Sequence, residues 1–458
     1  MRAHGCVRRE RRRIASAARF AAALAAVSLL ALPGCAARPA LVPAADVATH
    51  APQGPYTVTD PFLATVVGTR KEEFPVLPER VPSRAERLPR VDPARIPSVF
   101  FDENEIRYSI ASQRGRAPLV FVVAGTGSRY SSDRMQFLEA LLYGQGFHVV
   151  SLSSPTHPDF ILTSSAHHVP GYMQQDIEDL YALMEQIRAE HSELEVSSFD
   201  LAGYSLGATE AAFLAKHDAV ERSFNFQRVL LINPSVNLYE SSRILDTMFA
   251  HALPEGPTGV DLLIGELFAR ATPYVHSRAR GKLDNDFLFH IADQGELSER
   301  ELRAAIATVF RLALANMVFT VDVSTGGGHV VEAQRKLTAS TSLTDSFKRA
   351  TRWDFDRYVD ELLLPYWQQR RPDLDRDGLI AETSLVSIGG WLAGAEHVGV
   401  ITNADDIILA PGHLDFLRRT FGTRAVVYPH GGHLGNMQHH DFAASIVAWL
   451  RAAPGGDA

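Results

Sequence analysis

The sequence predicts an α/β fold: a mostly parallel sheet flanked by helices, interrupted by a large helical cap insertion. Three observations carry this. Short apolar runs rich in β-branched residues recur at 119–123, 147–152, 199–202, 229–232, 397–401 and 425–428. They lack two-residue alternation, so they read as strands buried on both faces. Amphipathic stretches lie between them; in Asp176 to Ala189, residues Ile177, Leu180, Tyr181, Met184 and Ile187 share one stripe. Finally, the gap from 232 to 397 is far longer than a strand connection and carries helical spacing.

Composition sets the outer limits. The 458 residues, 46% hydrophobic and 21% charged, are ordinary for a globular chain. Lys and Arg number 45 against 53 Asp and Glu, a net charge of -8. A protein that coats nucleic acid would show a strong basic excess, so that class is set aside.

The first 35 residues read as an address. Arg2, Arg8, Arg9, Arg11, Arg12, Arg13 and Arg19 precede a 13-residue apolar run, Phe20 to Leu32. That is too short for a spanning helix, which needs about 20 residues, and suits a secretory signal. The run ends in Leu32-Pro33-Gly34-Cys35, which resembles the bacterial lipobox. The resemblance implies lipidation of Cys35 as the first residue of the mature chain. The alternative is a plain signal peptide with a chance cysteine. Cys6 would leave with the signal, and acyl chains at about 0.8 kcal/mol per buried methylene would hold the protein on a membrane surface. Ala36 in place of aspartate implies, by likeness to enterobacterial sorting, the periplasmic face of the outer membrane.

Residues 36–97 hold 11 of the 25 prolines, so regular structure is expected to be scarce there. Residues 36 to about 60 read as a spacer. Residues 61–97 read as a surface-wrapping segment anchored by Phe62, Val66, Val67, Phe74 and Leu77. Phe100 and Ile106 to Ile110 are expected to form an antiparallel edge. The core is placed at 98–240 and 382–458.

Three signals at strand ends carry chemistry. Gly203-Tyr204-Ser205-Leu206-Gly207 lies between a strand and a helix-like stretch. That is the pattern of a nucleophile elbow, in which a strained turn lifts the serine above the sheet. Val123-Ala124-Gly125-Thr126-Gly127-Ser128 follows the strand at 119. Its small residues would let the N–H of Thr126, or of Gly127, face the serine together with that of Leu206 as an oxyanion hole. It lacks the Gly-Lys-Ser/Thr of a phosphate loop and the spacing of a dinucleotide fingerprint. Thr402-Asn403-Ala404-Asp405-Asp406 and Pro429-His430-Gly431-Gly432-His433-Leu434-Gly435-Asn436 follow the last two strands. Serine, acid, histidine is then the chain order, and a serine hydroxyl needs such a base, oriented by such an acid.

These motifs make the chain resemble the α/β-hydrolase superfamily over about 98–240 and 385–453. The acid and histidine motifs are similar to those of the YheT-like esterase group. The resemblance implies a serine hydrolase acting on acyl esters without a cofactor, with Ser205 as nucleophile, His433 as base and Asp406 as acid. Asn403 stands where the usual turn glycine would, which puts Asp406 in register; Asp405 is the fallback. A small-molecule or lipid ester is the expected partner. Two other readings stay open: a catalytically silent binding or assembly protein on the same scaffold, and an amidase or peptidase with the same triad.

The insertion, 241–381, reads as a helical cap or lid. Leu302, Ile306, Val309, Phe310, Ala313 and Met317 follow helical spacing, as do Phe355, Val359, Leu362 and Leu363. Weaker signals remain. Asp373 to Ile380 matches the start of a calcium loop, but Ser384 occupies the position of the bidentate glutamate. His430, His433, His439 and His440 lack zinc-motif spacing, and no metal is expected. His157 is placed near the cleft rim, and Gly326 to His329 reads as a flexible loop.

Overall fold

The computed structural model describes residues 54–89, 96–101, 105–253, 297–333 and 335–452, with a few positions between 253 and 297. The proposed signal, Cys35 and most of the spacer lie outside the described residues, as does much of the insertion from 254 to 296.

Eight strands form one sheet: β1 (Ser83–Pro89), β2 (Glu105–Ala111), β3 (Ala117–Val123), β4 (His148–Leu152), β5 (Val196–Tyr204), β6 (Arg228–Ile232), β7 (Val398–Asn403) and β8 (Ala425–Tyr428). Their spatial order is β1-β2-β4-β3-β5-β6-β7-β8. β2 runs antiparallel to both neighbours, and every other pair is parallel. This is the α/β-hydrolase fold. Parallel pairing requires crossovers, supplied by the helices Asp133–Gly144, Met173–Glu190, Leu206–Glu221 and His413–Phe421 and by the insertion.

The missing alternation has a direct cause. Leu119, Phe121 and Val123 pack into one helical layer with Ile177, Leu180 and Ala211, while Val120 and Val122 pack into the other with Leu138, Leu142 and Ile446. Both faces of the central strands are buried, so both parities are apolar.

The structure corrects the N-terminal reading in two places. Residues 61–97 hold regular structure: the helix Pro61–Val67, with Asp60 accepting from the Leu63 N–H at 2.7 Å, and the outermost strand β1. The core sheet therefore starts before residue 98. Phe100 is not in a strand; it closes the 3-10 turn Ser98–Phe100 and packs edge-on against Phe319 of the cap.

The insertion leaves and rejoins the core at one neck, where Asn237 and Ser384 form an antiparallel bridge and the Leu385 N–H donates to Val236 O at 2.8 Å. Its longest helix, Glu299–Thr325, opens on a Ser298/Glu301 capping box and ends at Gly326 in the left-handed region. A second core of Leu314, Val318, Trp353, Tyr358, Leu363 and Trp367 holds the cap together.

Candidate active site

β5 delivers the chain to Ser205, and the helix Leu206–Glu221 takes it away. Between them Ser205 has φ 56 and ψ -123, a conformation few residues with a side chain adopt. It is held there by its own backbone, whose N–H donates to Ile232 O at 2.9 Å and whose carbonyl receives the Ala208 N–H at 3.0 Å. The flanking glycines are required by contact. A Cβ on Gly203 would lie 2.0 Å from Gly207 O, and one on Gly207 would lie 2.3 Å from Val123 O.

The histidine loop is irregular around its functional residue: Gly431, Gly432 and Leu434 have φ of 146, 52 and 66. Side chains from outside the loop hold it. Asp405 accepts from the N–H groups of Gly431 and Gly432 at 3.3 and 2.9 Å. Asn403 donates to Gly432 O at 2.8 Å and to Asn436 Oδ1 at 2.9 Å, and Asn436 donates back to Asn403 Oδ1 at 2.8 Å. Acid loop and histidine loop are thereby cross-linked.

The result is a continuous chain of hydrogen bonds. His433 Nε2 lies 2.9 Å from Ser205 Oγ, and Nδ1 lies 3.0 and 3.1 Å from the two oxygens of Asp406. A carboxylate only accepts, so Nδ1 carries the proton and Nε2 accepts from the Ser205 hydroxyl. The Asp406 side chain is 0% exposed, against 15% for His433. Asn233 Nδ2 donates to Asp406 at 2.8 Å and the Ile408 N–H does so at 3.2 Å, which offsets the desolvation of the charge. Of the adjacent aspartates, Asp406 is thus the one that meets His433, while Asp405 braces the loop.

The loop after β3 passes over the serine. A Cβ on Gly125 would sit 3.0 Å from Ser205 Cβ. The Gly127 N–H donates to Thr156 Oγ1 at 2.8 Å, so of the two alternatives Thr126 is the one left to the cleft. Thr126 and Leu206 line the same small cavity, closed by Leu238, Phe310, Leu314 and Met317 of the insertion. This places the oxyanion candidates beside the serine and under the cap. Glu210, on the elbow helix, and Asp176, on the helix Met173–Glu190, are both buried, and burial pushes both carboxyls well above the usual range. Asp176, in the first turn of its helix, accepts from the Gly171 N–H at 2.7 Å.

The weaker signals resolve into structural roles. His157 caps the helix Pro158–Thr163 and sits 2.6 Å from buried Asp159. Burial raises that carboxyl, but His157 and Arg129 hold it below the usual range. In the calcium-like loop, Asp375 caps the helix Arg376–Glu382 and Asp373 pairs with Arg371 at 3.3 Å. Gly326 to His329 is a built turn rather than a flexible loop, since Asp322 accepts from the N–H groups of His329, Val330 and Val331 at 2.8 Å each. His430 lies 3.6 Å from Asp405, while His439 caps the last helix, His440–Arg451. His439, His440 and Asp441 do bring possible ligand atoms within 4.8 Å of one another. Their Nδ1 atoms are engaged, however: that of His439 by the Asp441 N–H and that of His440 at Glu73 O.

Three supporting residues escaped the sequence reading: Asn233 on the acid, Asn436 across the two loops, and Thr65, whose Oγ1 accepts from the His433 N–H at 2.9 Å. Asn436 lay in the quoted histidine motif, and its amide beside a glycine-rich turn was the available signal. Asn233 and Thr65 had none.

Fold and site together define an α/β-hydrolase scaffold with a serine, a histidine and an aspartate joined by hydrogen bonds at its carboxyl edge. Neither protein-family models nor curated proteins give a match to this sequence. Among solved structures, the chain is similar to the thioesterase domain of the curacin biosynthetic pathway, at 15% identity and TM-score 0.36, covering 81% of this chain and 99% of that one. It is similar to a fungal esterase from Rhizomucor miehei at 13% identity and TM-score 0.41, covering 87% and 98%. A proline iminopeptidase from Mycobacterium smegmatis matches at 13% identity and TM-score 0.38, covering 80% and 97%. These are likenesses of fold alone.

Proposed function

We propose that this protein is a serine hydrolase that cleaves carboxylic esters through an acyl-enzyme intermediate, in the manner of the YheT-like esterases its motifs resemble. The observation that carries the reading is the Ser205–His433–Asp406 hydrogen-bond chain, with the serine held at φ 56. Ser205 Oγ attacks the ester carbonyl carbon, and His433 Nε2 takes the hydroxyl proton. Asp406 stabilises the imidazolium. The N–H groups of Thr126 and Leu206 receive the charge that develops on the carbonyl oxygen, each contributing about 2.7–4 kcal/mol. Collapse breaks the bond to the alcohol, which leaves with the proton from His433. Water then attacks the acyl-serine by the same relay, releasing the acid and restoring the hydroxyl. No step needs a cofactor.

An apolar acyl group is favoured because the cavity beside Thr126 and Leu206 is lined by Leu238, Phe310, Leu314, Met317 and Phe355. The chain is exported, lipidated on Cys35 and held at the periplasmic face of the outer membrane, which would present it to lipid-derived esters. Loss of labelled palmitate in a Cys35→Ala chain tests the anchor. Ser205→Ala tests the chemistry: hydrolysis of p-nitrophenyl butyrate should vanish with the melting temperature unchanged. Undiminished turnover would remove Ser205 from the mechanism.

A further inference from the structure

We propose that Thr65, on the helix Pro61–Val67 ahead of the sheet, is a positioning residue for His433, making the segment that leads in from the N-terminus a working part of the active site. This rests on the Ser205–His433–Asp406 reading above. Thr65 Oγ1 accepts from the His433 backbone N–H at 2.9 Å, and its own proton goes to Pro61 O at 2.6 Å, which aims an oxygen lone pair at the histidine. Four residues on, Thr69 Oγ1 donates to Gly435 O at 2.8 Å. The helix and the residue just past its cap therefore hold the histidine loop on both sides of Leu434.

The fit is backbone against backbone. A Cβ on Gly432 would lie 2.1 Å from Pro61 O, and one on Gly435 would lie 2.2 Å from Ala64 O. Ala64 and Val67 are fully buried. At its other side the helix meets the cap, where Phe62 packs against the cluster of Met248, Phe249, Ala304 and Ala307, with the Arg303 guanidinium 4.1 Å from its ring centroid. The helix is thus wedged between the cap and the loop that carries the base.

His433 needs this support because its loop has no ladder of its own. Both neighbours have positive φ, and the cross-links from Asp405 and Asn403 reach Gly431, Gly432 and Asn436 but not His433 itself. The bond to Thr65 is made by the backbone of His433 itself. A misplacement of about 1 Å at a reacting group costs on the order of a hundredfold in rate.

The test uses the full chain in detergent, with p-nitrophenyl butyrate as substrate. Thr65→Val keeps the shape and removes the acceptor. It should lower kcat at least tenfold, with KM within about twofold, and slow fluorophosphonate labelling of Ser205 in parallel. Thr65→Ser keeps the hydroxyl and should restore kcat to within about twofold of wild type. If the valine variant fails to fold, Thr65→Ala carries the same expectation. Wild-type kcat in a folded valine or alanine variant overturns the proposal. So does a loss that serine does not restore, since the methyl group would then account for it. Ser205→Ala separates the two levels. If it is inert while Thr65→Val is fully active, only the positioning role fails; if it is active, the catalytic reading fails as well.

Discussion

Replacing Asp406 by asparagine changes little in shape and much in hydrogen bonding. Every group that reaches this carboxylate is a donor: Asn233 Nδ2, the Ile408 N–H and His433 Nδ1. An asparagine has to point its own NH2 at one of them. The backbone N–H of Ile408 cannot turn away, so the amide nitrogen takes the other position. There Asn233 can rotate to offer its Oδ1, which is buried without a partner. Because Nδ1 sits 3.0 and 3.1 Å from the two oxygens, it then faces an N–H where it faced an oxygen. The negative charge beside the imidazolium is gone as well. At 3.0 Å and an effective dielectric of about 20, that charge pair amounts to about 5 kcal/mol. At about 1.4 kcal/mol per tenfold, Asp406→Asn should lower kcat by about 10³–10⁴-fold. The assay is p-nitrophenyl butyrate hydrolysis by full-length protein whose melting temperature matches wild type. Asp405→Asn, which touches only the Gly431 and Gly432 amides and the flank of His430, should lose far less. A folded Asp406→Asn enzyme within tenfold of wild type would refute the reasoning, and the reverse ranking of the two variants would move the acid to Asp405.

Two further outcomes concern the scaffold. Gly207→Ala forces a methyl to 2.3 Å from Val123 O and 2.6 Å from Ala124 O, both backbone atoms, so soluble folded protein should be lost; Gly390→Ala, with nothing within 4 Å, should melt no lower than wild type. Burial pushes the Asp200 carboxyl up to about 7, despite the Arg228 N–H that donates to it at 3.0 Å. A carboxyl raised on folding contributes stability that is complete below the unfolded value near 3.8 and is lost as pH rises through 7. The melting temperature of wild type minus that of Asp200→Asn should therefore fall from pH 5 to pH 7 and level off above. A difference that does not change with pH would show that Asp200 is ionised throughout.

The parts that were legible were those in which local chemistry and global position agree. Central strands buried on both faces must be apolar at every position, and the elbow must read Gly-x-Ser-x-Gly because no Cβ fits at 203 or 207. The illegible parts take their meaning from distant partners. β1 reads Ser-Arg-Ala-Glu-Arg-Leu-Pro, an outer strand with mostly exposed side chains, so it has no apolar run to announce it. Pro61 looked like a breaker, yet it stands at the first helical position behind an aspartate cap, where its missing N–H costs nothing. The choice between Asp405 and Asp406 turned on which carboxylate faces inward from one tight turn, and spacing gave only a register for that. Thr65 and His433 are 368 residues apart, and neither neighbourhood names the other.

The division of labour follows from where each group is fixed. The serine, acid and histidine are held by the sheet's carboxyl edge and by the helix at 61–67. The insertion lies over the loop beside them. The oxyanion loop and the long cap helix are in direct contact: a Cβ on Gly127 would meet Ala313 Cβ at 2.7 Å. The cavity left between them has a free volume of about 20 Å3, room for about one water. An acyl chain reaching Ser205 from this side has to part Phe310, Ala313, Leu314 and Met317 from the loop, exposing apolar surface that the chain itself then covers. Long apolar chains cover more of that surface than short ones, so the closed cap sets a threshold of hydrophobic contact for entry. If the protein cleaves acyl esters as proposed, chain-length selectivity would reside in one face of a single helix, outside the motifs that define the chemistry.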